Sequence, residues 1–144
     1  MRVCSFFGAS SWSYTEYKER LKAIIVELIE KYEVVQFYSG GRGNFDRFAA
    51  FTVWEVKKEY PFIKNTLVLS YMPSKDFTLP DIYTDSVYLL ERFVPPRYAI
   101  LETNKAMIDR SDFVVAAARF SFGGAQRARE YALKKGKKVI DLQE

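Results

Sequence analysis

The stretch Phe37-Tyr38-Ser39-Gly40-Gly41-Arg42-Gly43-Asn44-Phe45-Asp46-Arg47-Phe48 decides the fold. Before it, Val34-Val35-Gln36-Phe37-Tyr38 has the β-branched and aromatic content of a short buried strand. After it, Asn44 to Tyr60 holds no Pro or Gly and repeats apolar residues at helical spacing. The chain therefore passes from strand to helix through Ser39 to Gly43. Glycines there permit positive φ and let a ligand come close to the backbone. A helix start also presents unpaired N–H groups and the positive end of the dipole, a combination that suits an anion such as phosphate. Arg42 adds charge to that guest, and Asp46, in the first turn, either caps N–H groups or accepts a hydroxyl hydrogen bond. A turn without a ligand fits the same residues, because a lone Gly-Gly-x-Gly is weak evidence.

Working outward, Arg2 to Phe7 reads as a first strand followed by the small, hydroxyl-rich loop Gly8-Ala9-Ser10-Ser11-Trp12-Ser13-Tyr14. Thr15 is placed to cap a helix reaching about Tyr32, with Leu21, Ile24, Ile25, Leu28 and Ile29 on one face. Downstream, Pro61 ends the helix that starts at Asn44, and Thr66 to Tyr71 is an apolar third strand of the kind covered on both faces. Met72 to Pro96 carries four prolines among Phe77, Tyr83, Tyr88 and Phe93, and is expected to pack on the domain as a flap over the strand ends. A helix from Pro96 or Arg97 to Arg110, a strand from Phe113 to Ala118, a helix from about Ala125 to Lys135 closed by Gly136, and a strand Lys138 to Leu142 complete the chain. Five strands with helices between them predict an α/β domain with a doubly wound parallel sheet, covering residues 1–144 as a single unit.

In such sheets ligands sit beyond the carboxyl ends of the strands. Three loops fall on that edge: Gly8 to Tyr14, Ser39 to Asn44, and Arg119 to Gly124. Ser121-Phe122-Gly123-Gly124-Ala125 repeats the strand, glycine pair, helix theme of the opening stretch. Two helix starts aimed into one crevice raise the case for a phosphorylated guest above that of either motif alone.

Composition narrows the chemistry. The 144 residues are 49% apolar and rich in aromatics, enough for a core without metal or disulfide. The absence of histidine excludes histidine bases and metal ligands, and the single Cys4 cannot bridge internally, so no metal and no cofactor is expected. Cys4 reads as a small buried hydrophobe in a reducing compartment, and no apolar run is long enough to span a bilayer, which places the protein in the cytoplasm. The net charge of +4 concentrates in Lys134-Lys135-Gly136-Lys137-Lys138, a solvated helix end. The surplus of apolar and aromatic residues makes a homodimer or larger assembly the expected state.

The segments Gly40 to Ala50, Pro95 to Ile100, Asn104 to Asp112, Gly123-Gly124-Ala125 and Lys135 to Ile140 together resemble the bacterial and phage proteins of the SLOG superfamily, near its YpsA-like branch. The resemblance spans nearly the entire chain. It implies a Rossmann-like three-layer sandwich, sheet order 3-2-1-4-5, that binds nucleotides or nucleotide-derived ligands; members include the Lonely Guy phosphoribohydrolases, the DNA-processing protein DprA and sensor domains of antiviral systems. Gly40, Gly41, Gly43, Asp46, Asn104, Met107, Asp112, Gly123 and Gly124 match the family pattern. Gly8-Ala9-Ser10 stands where relatives have Gly-His-Arg, and Thr103-Asn104 where they have Arg-Asn. Glu130 falls seven residues after Gly123, as in the hydrolase motif, but Gln126 and Arg127 replace its Gly-Thr.

The leading reading is a sensor or sequestering protein for a nucleotide or ADP-ribose-like ligand. Gly40 to Asn44 and Gly123 to Ala125, with Gly8, Ser10 and Ser39 beside them, would hold phosphates, with Arg42 or Arg119 as countercharge. Asp46 or Asp109 would accept a ribose hydroxyl, and Trp12, Tyr14 or Phe122 would stack on a base. The alternative is an N-glycosidic hydrolase using Asp46, Asp109 or Glu130 as its carboxylate. Single-stranded DNA binding is a third reading, disfavoured because the basic residues form no single stripe.

Overall fold

Phe6 and Phe7 point to opposite faces of the first strand, β1 (Arg2–Gly8), and a different pair of helices covers each of them. The computed structural model describes residues 1–9, 13–119 and 123–143. On the Phe6 face lie α1 (Lys18–Tyr32), entered through a 3₁₀ turn at Thr15–Tyr17, and α2 (Asn44–Lys57). Their Leu21, Ile25, Leu28, Phe45 and Val53 close over Cys4, Phe6, Phe37 and Val115. On the Phe7 face lie α3 (Ala99–Asp109) and α4 (Gly124–Lys134), whose Met107, Ile108, Ala128 and Ala132 cover Phe7, Tyr38, Val68 and Val114. Each fully buried Leu, Ile or Phe contributes about 1.5–3 kcal/mol, and the alternation along β1 is what commits it to two covered faces.

Between the helix layers, β2 (Val34–Ser39), β3 (Lys64–Leu69), β4 (Asp85–Tyr88), β5 (Phe113–Ala117) and β6 (Lys138–Asp141) join β1 in one sheet, ordered β4-β3-β2-β1-β5-β6. Every pairing is parallel. The five expected strands take the order 3-2-1-4-5, and β4 is a sixth, added at the β3 edge.

The sixth strand has a polar cause. The buried Asn65 Nδ2 donates to the Ala50 carbonyl and to the Ile82 carbonyl, both at 2.9 Å, and the Thr66 hydroxyl donates to Asp85 at 2.6 Å. The Thr84 N–H reaches the Asn65 carbonyl at 2.8 Å. These groups draw residues 82–85 against β3, while pairing of Lys64 and Asn65 with Gln36 and Phe37 of β2 starts β3 at Lys64 rather than at Thr66. Around it, Met72, Phe77 and Phe93 stay exposed while Leu89 is buried.

Thr15 does not cap α1. It lies within the 3₁₀ turn, and no side chain bonds the helix start. Glu33 ends α1 in the left-handed region, φ 58°, where its N–H reaches the Leu28 carbonyl. No helix among the described residues is long and apolar enough to cross a membrane.

Candidate functional site

Because β2, β1 and β5 are adjacent and parallel, the turns after Ser39, Gly8 and Ala117 share the carboxyl edge of the sheet, with β1 in the middle. The space directly above β1 on the α2 side is filled. Phe45 packs its ring against Gly8 where a Cβ would start. Tyr14 stacks on this plug, 5.0 Å from the Phe45 centroid and 5.9 Å from that of Phe48, and its hydroxyl donates to the Ala9 carbonyl at 2.7 Å. Burial pushes the Tyr14 phenol up to about 12. Tyr14 is therefore a core residue rather than a stacking platform, and Gly8 is a packing glycine.

The first glycine turn is occupied by its own residues. Gly41 takes φ 67°, and a Cβ there would also meet Leu67 at 2.6 Å, so it is the glycine the turn requires. The Arg42 N–H donates to Asp46 at 3.0 Å. Its guanidinium folds back over Gly40 and donates to Ser70 at 2.8 Å and Asn104 at 3.0 Å, tying the turn to the end of β3 and to α3. Gly43 precedes α2 in an extended conformation. One of the amides expected to cradle phosphate, that of Arg42, thus faces a carboxylate already in place. Burial raises the Asp46 carboxyl, against the lowering pull of the Arg42 N–H and of the Arg42 and Arg47 charges. Ser39 is buried, and its hydroxyl lies near Tyr83 without completing a hydrogen bond among the described residues.

The second glycine turn is less crowded among the described residues. Nothing among the described residues lies within 4 Å of where a Cβ on Gly123 or Gly124 would sit. Gly124 borders a cleft of about 250 Å³ between α3 and α4. Asn104, Lys105 and Arg127 supply its polar lining, and Ile100, Leu101, Ile108 and Ala128 its apolar wall, with Tyr131 at one side. Asn104 is shared, for the same side chain accepts from Arg42. Ala125 sits in the first turn of α4.

The other candidates lie elsewhere. The helix α3 runs away from the carboxyl edge, so Asp109, in its last turn, lies at the opposite end, where it accepts from the Tyr131 hydroxyl at 2.8 Å. Partial burial and this carboxylate push the Tyr131 phenol up to about 12. Glu130 is exposed and accepts from Gln126 at 3.3 Å. The Arg119 N–H donates to Gln143 Oε1 at 3.0 Å, outside the cleft lining. Ser10, Trp12 and Phe122 lie outside the described residues. No ligand role for Lys105, Arg127 or Tyr131 is read from the sequence, although the spacing 124, 127, 128, 131 marks one helix face. Among the described residues, no group of three His, Cys, Asp or Glu side chains could hold a metal.

With this geometry in hand, solved structures can be set beside the chain. DNA processing protein A from Streptococcus pneumoniae aligns over 98% of the chain at 16% identity with a TM-score of 0.64, and the chain spans 50% of that protein. Two structures of the Moco carrier protein from Chlamydomonas reinhardtii align over 97% of the chain, at 17% and 15% identity and TM-scores of 0.53 and 0.52, covering 75% and 74% of those chains. The fold shared with these structures is Rossmann-like, an α/β sandwich around a parallel sheet. At such identities the likeness establishes the fold alone. No protein-family model and no curated protein matches the sequence.

Proposed function

We propose that the chain binds a phosphate-bearing, nucleotide-derived ligand in the α3–α4 cleft, with the phosphate at the Gly123–Gly124 end of α4, and that it senses or sequesters this ligand without transforming it. The observation that carries this reading is the charge of the cleft. Among the described residues its ionisable lining comprises Arg127, Lys105, which pairs with Glu102 at 3.5 Å, and the phenol Tyr131, and no carboxylate lines it directly. An anion meets the positive end of α4 and one amide, Asn104, while the apolar wall takes a base. At about 250 Å³ the cleft falls just short of the roughly 300–1,000 Å³ of ligand pockets, so it would enclose part of a mononucleotide-sized guest and leave the rest in solvent.

The hydrolase alternative needs a carboxylate beside the sugar. Asp46 accepts from the Arg42 amide, Asp109 is at the far edge, and Glu130 is exposed. The fold relatives include a carrier protein and a DNA-processing protein, which agrees with ligand binding in general terms.

Thermal unfolding in the presence of AMP, ADP-ribose, NAD and adenosine tests the proposal. The phosphorylated ligands are expected to raise the melting temperature, by the equivalent of about 2.7 kcal/mol at a hundredfold excess over Kd, with adenosine far less effective. Arg127→Glu is expected to abolish the rise, and chromatography to recover the ligand intact. An equal response to adenosine, or none to any phosphate, overturns the reading. Released base or ribose phosphate points to the hydrolase, and steeply salt-dependent binding of single-stranded DNA to nucleic acid.

A further inference from the structure

A second cavity, of about 350 Å³, lies on the other side of α4. At 3.6 residues per turn, Gln126 and Arg129 project roughly 180° away from Gly124, Ala128 and Tyr131, so the two cavities are separated by the helix itself. The floor is made by Ala116 and Ala118, at and just after the end of β5, whose small side chains leave the space open. Asp141 forms the wall from β6, held by Arg129 through two bonds of 2.7 and 2.8 Å, and this pairing neutralises both charges.

The corner is rigidly built. Arg20 of α1 donates to the Leu142 carbonyl at 2.7 Å and the Asp141 carbonyl at 3.0 Å. The Arg119 N–H and guanidinium fix Gln143 by its amide oxygen and its carbonyl, at 3.0 and 3.2 Å. Those bonds assign the amide orientations. Gln143 spends Oε1 on Arg119, which leaves its NH₂ group as a donor; Gln126 spends Nε2 on Glu130, which leaves its Oε1 as an acceptor. Neither atom has a further hydrogen bond among the described residues, yet neither is a sealed orphan, although Gln143 as a residue is only 9% exposed. Both residues line the cavity. Both atoms are open to the cavity, so they present one acceptor and one donor to whatever enters it, water included.

We propose that this cavity is a second binding site, which takes a planar lactam of nucleoside size. Its ring N–H would donate to Gln126 Oε1 and its ring carbonyl would accept from Gln143 Nε2, over the alanine floor. The site is independent of the phosphate cleft.

Uridine is the probe, because it carries a lactam and no phosphate. Titrating the whole chain while following side-chain amide resonances is expected to shift those of Gln126 and Gln143 and to leave the Gly124 and Asn104 amides unmoved. 3-Methyluridine, which lacks the ring N–H, is expected to bind at least tenfold more weakly, as is uridine to the Gln126→Met variant, whose surface position on α4 leaves the fold intact. No shift up to the solubility limit of uridine overturns the proposal. So does an equal response to 3-methyluridine, or shifts confined to Gly124 and Asn104. Since uridine carries no phosphate for the cationic cleft, failure here says nothing against the phosphate reading, and the reverse holds for adenosine monophosphate.

Discussion

The Phe45 ring occupies the volume in which any side chain on Gly8 would have to begin, so the turn after the central strand is closed by packing rather than kept clear for a ligand. Gly8→Ala would drive a methyl into a ring that also contacts Phe6 and Tyr14. Overpacking of this kind costs about 1–3 kcal/mol. The expected result is a lower denaturation midpoint with unchanged slope. A variant as stable as the parent would show that the Phe45 plug moves freely.

Gly124→Ala should behave in the opposite way. The added methyl meets no described atom within 4 Å and enters a helix that alanine favours over glycine by about 1 kcal/mol. Stability is expected to hold or rise. Affinity for phosphorylated ligands is expected to fall, because the methyl stands where the phosphate approaches the backbone. Titration calorimetry on the parent and the variant checks both halves, and unchanged affinity would move the phosphate away from α4.

The Arg42 fork spans two acceptors on different elements, Ser70 after β3 and Asn104 on α3. Lysine, with a single ammonium, cannot reproduce two divergent bonds. Arg42→Lys and Asn104→Ala are therefore expected to be non-additive, with a coupling of about 0.5–1 kcal/mol in a double-mutant cycle. Strict additivity would mean that the bond to Asn104 carries no net energy at this exposed position.

Asp46 makes the pH dependence specific. Its carboxyl is raised in the folded protein above the ordinary 3.8, chiefly by burial. A raised folded value means that the protonated form is the one folding favours. That contribution is complete below the unfolded value and is lost as pH climbs through the folded one. Asp46→Asn keeps an oxygen for the Arg42 N–H and has no charge to bury. The stability of the variant minus that of the parent should thus grow more positive from about pH 3.5 to pH 7. Parallel thermal melts across this range read the difference directly, and a flat or falling difference would contradict the assigned direction.

These residues also show what was legible in the sequence. The central strands and four helices follow from local signals, the unbroken apolar run at Phe6-Phe7 for a strand covered on both faces and the helical spacing at Leu21, Ile25 and Leu28. The edge strand β4 is short and polar, and it exists because Asn65 and Thr66 reach for it; a pairing made by side chains nineteen residues or less away leaves no periodic trace. The glycine turn at residues 40–43 was readable as a strand-to-helix turn. That Asp46 caps an N–H is one of the two roles its first-turn position allows, but that the Arg42 guanidinium folds back over Gly40 was not readable, since glycine spacing says where backbone is accessible and nothing about which nearby side chain arrives first.

Thr103 supplies the last prediction. It is fully buried on the sheet side of α3, and its hydroxyl has no hydrogen-bond partner among the described residues. A buried hydroxyl without a partner costs about 1–3 kcal/mol relative to a paired one. Valine has nearly the same shape and a comparable helix propensity, and removes the polar atom. Thr103→Val is therefore expected to stabilise the protein by about 1 kcal/mol, read as a higher denaturation midpoint. Thr103→Arg, which restores the residue found at this position in the family the sequence resembles, is expected to be strongly destabilising, because no exit for a guanidinium exists from a site with 0% exposure. If valine instead lowers stability, the hydroxyl has a partner in solution, and the inner face of α3 is wetter than its packing indicates.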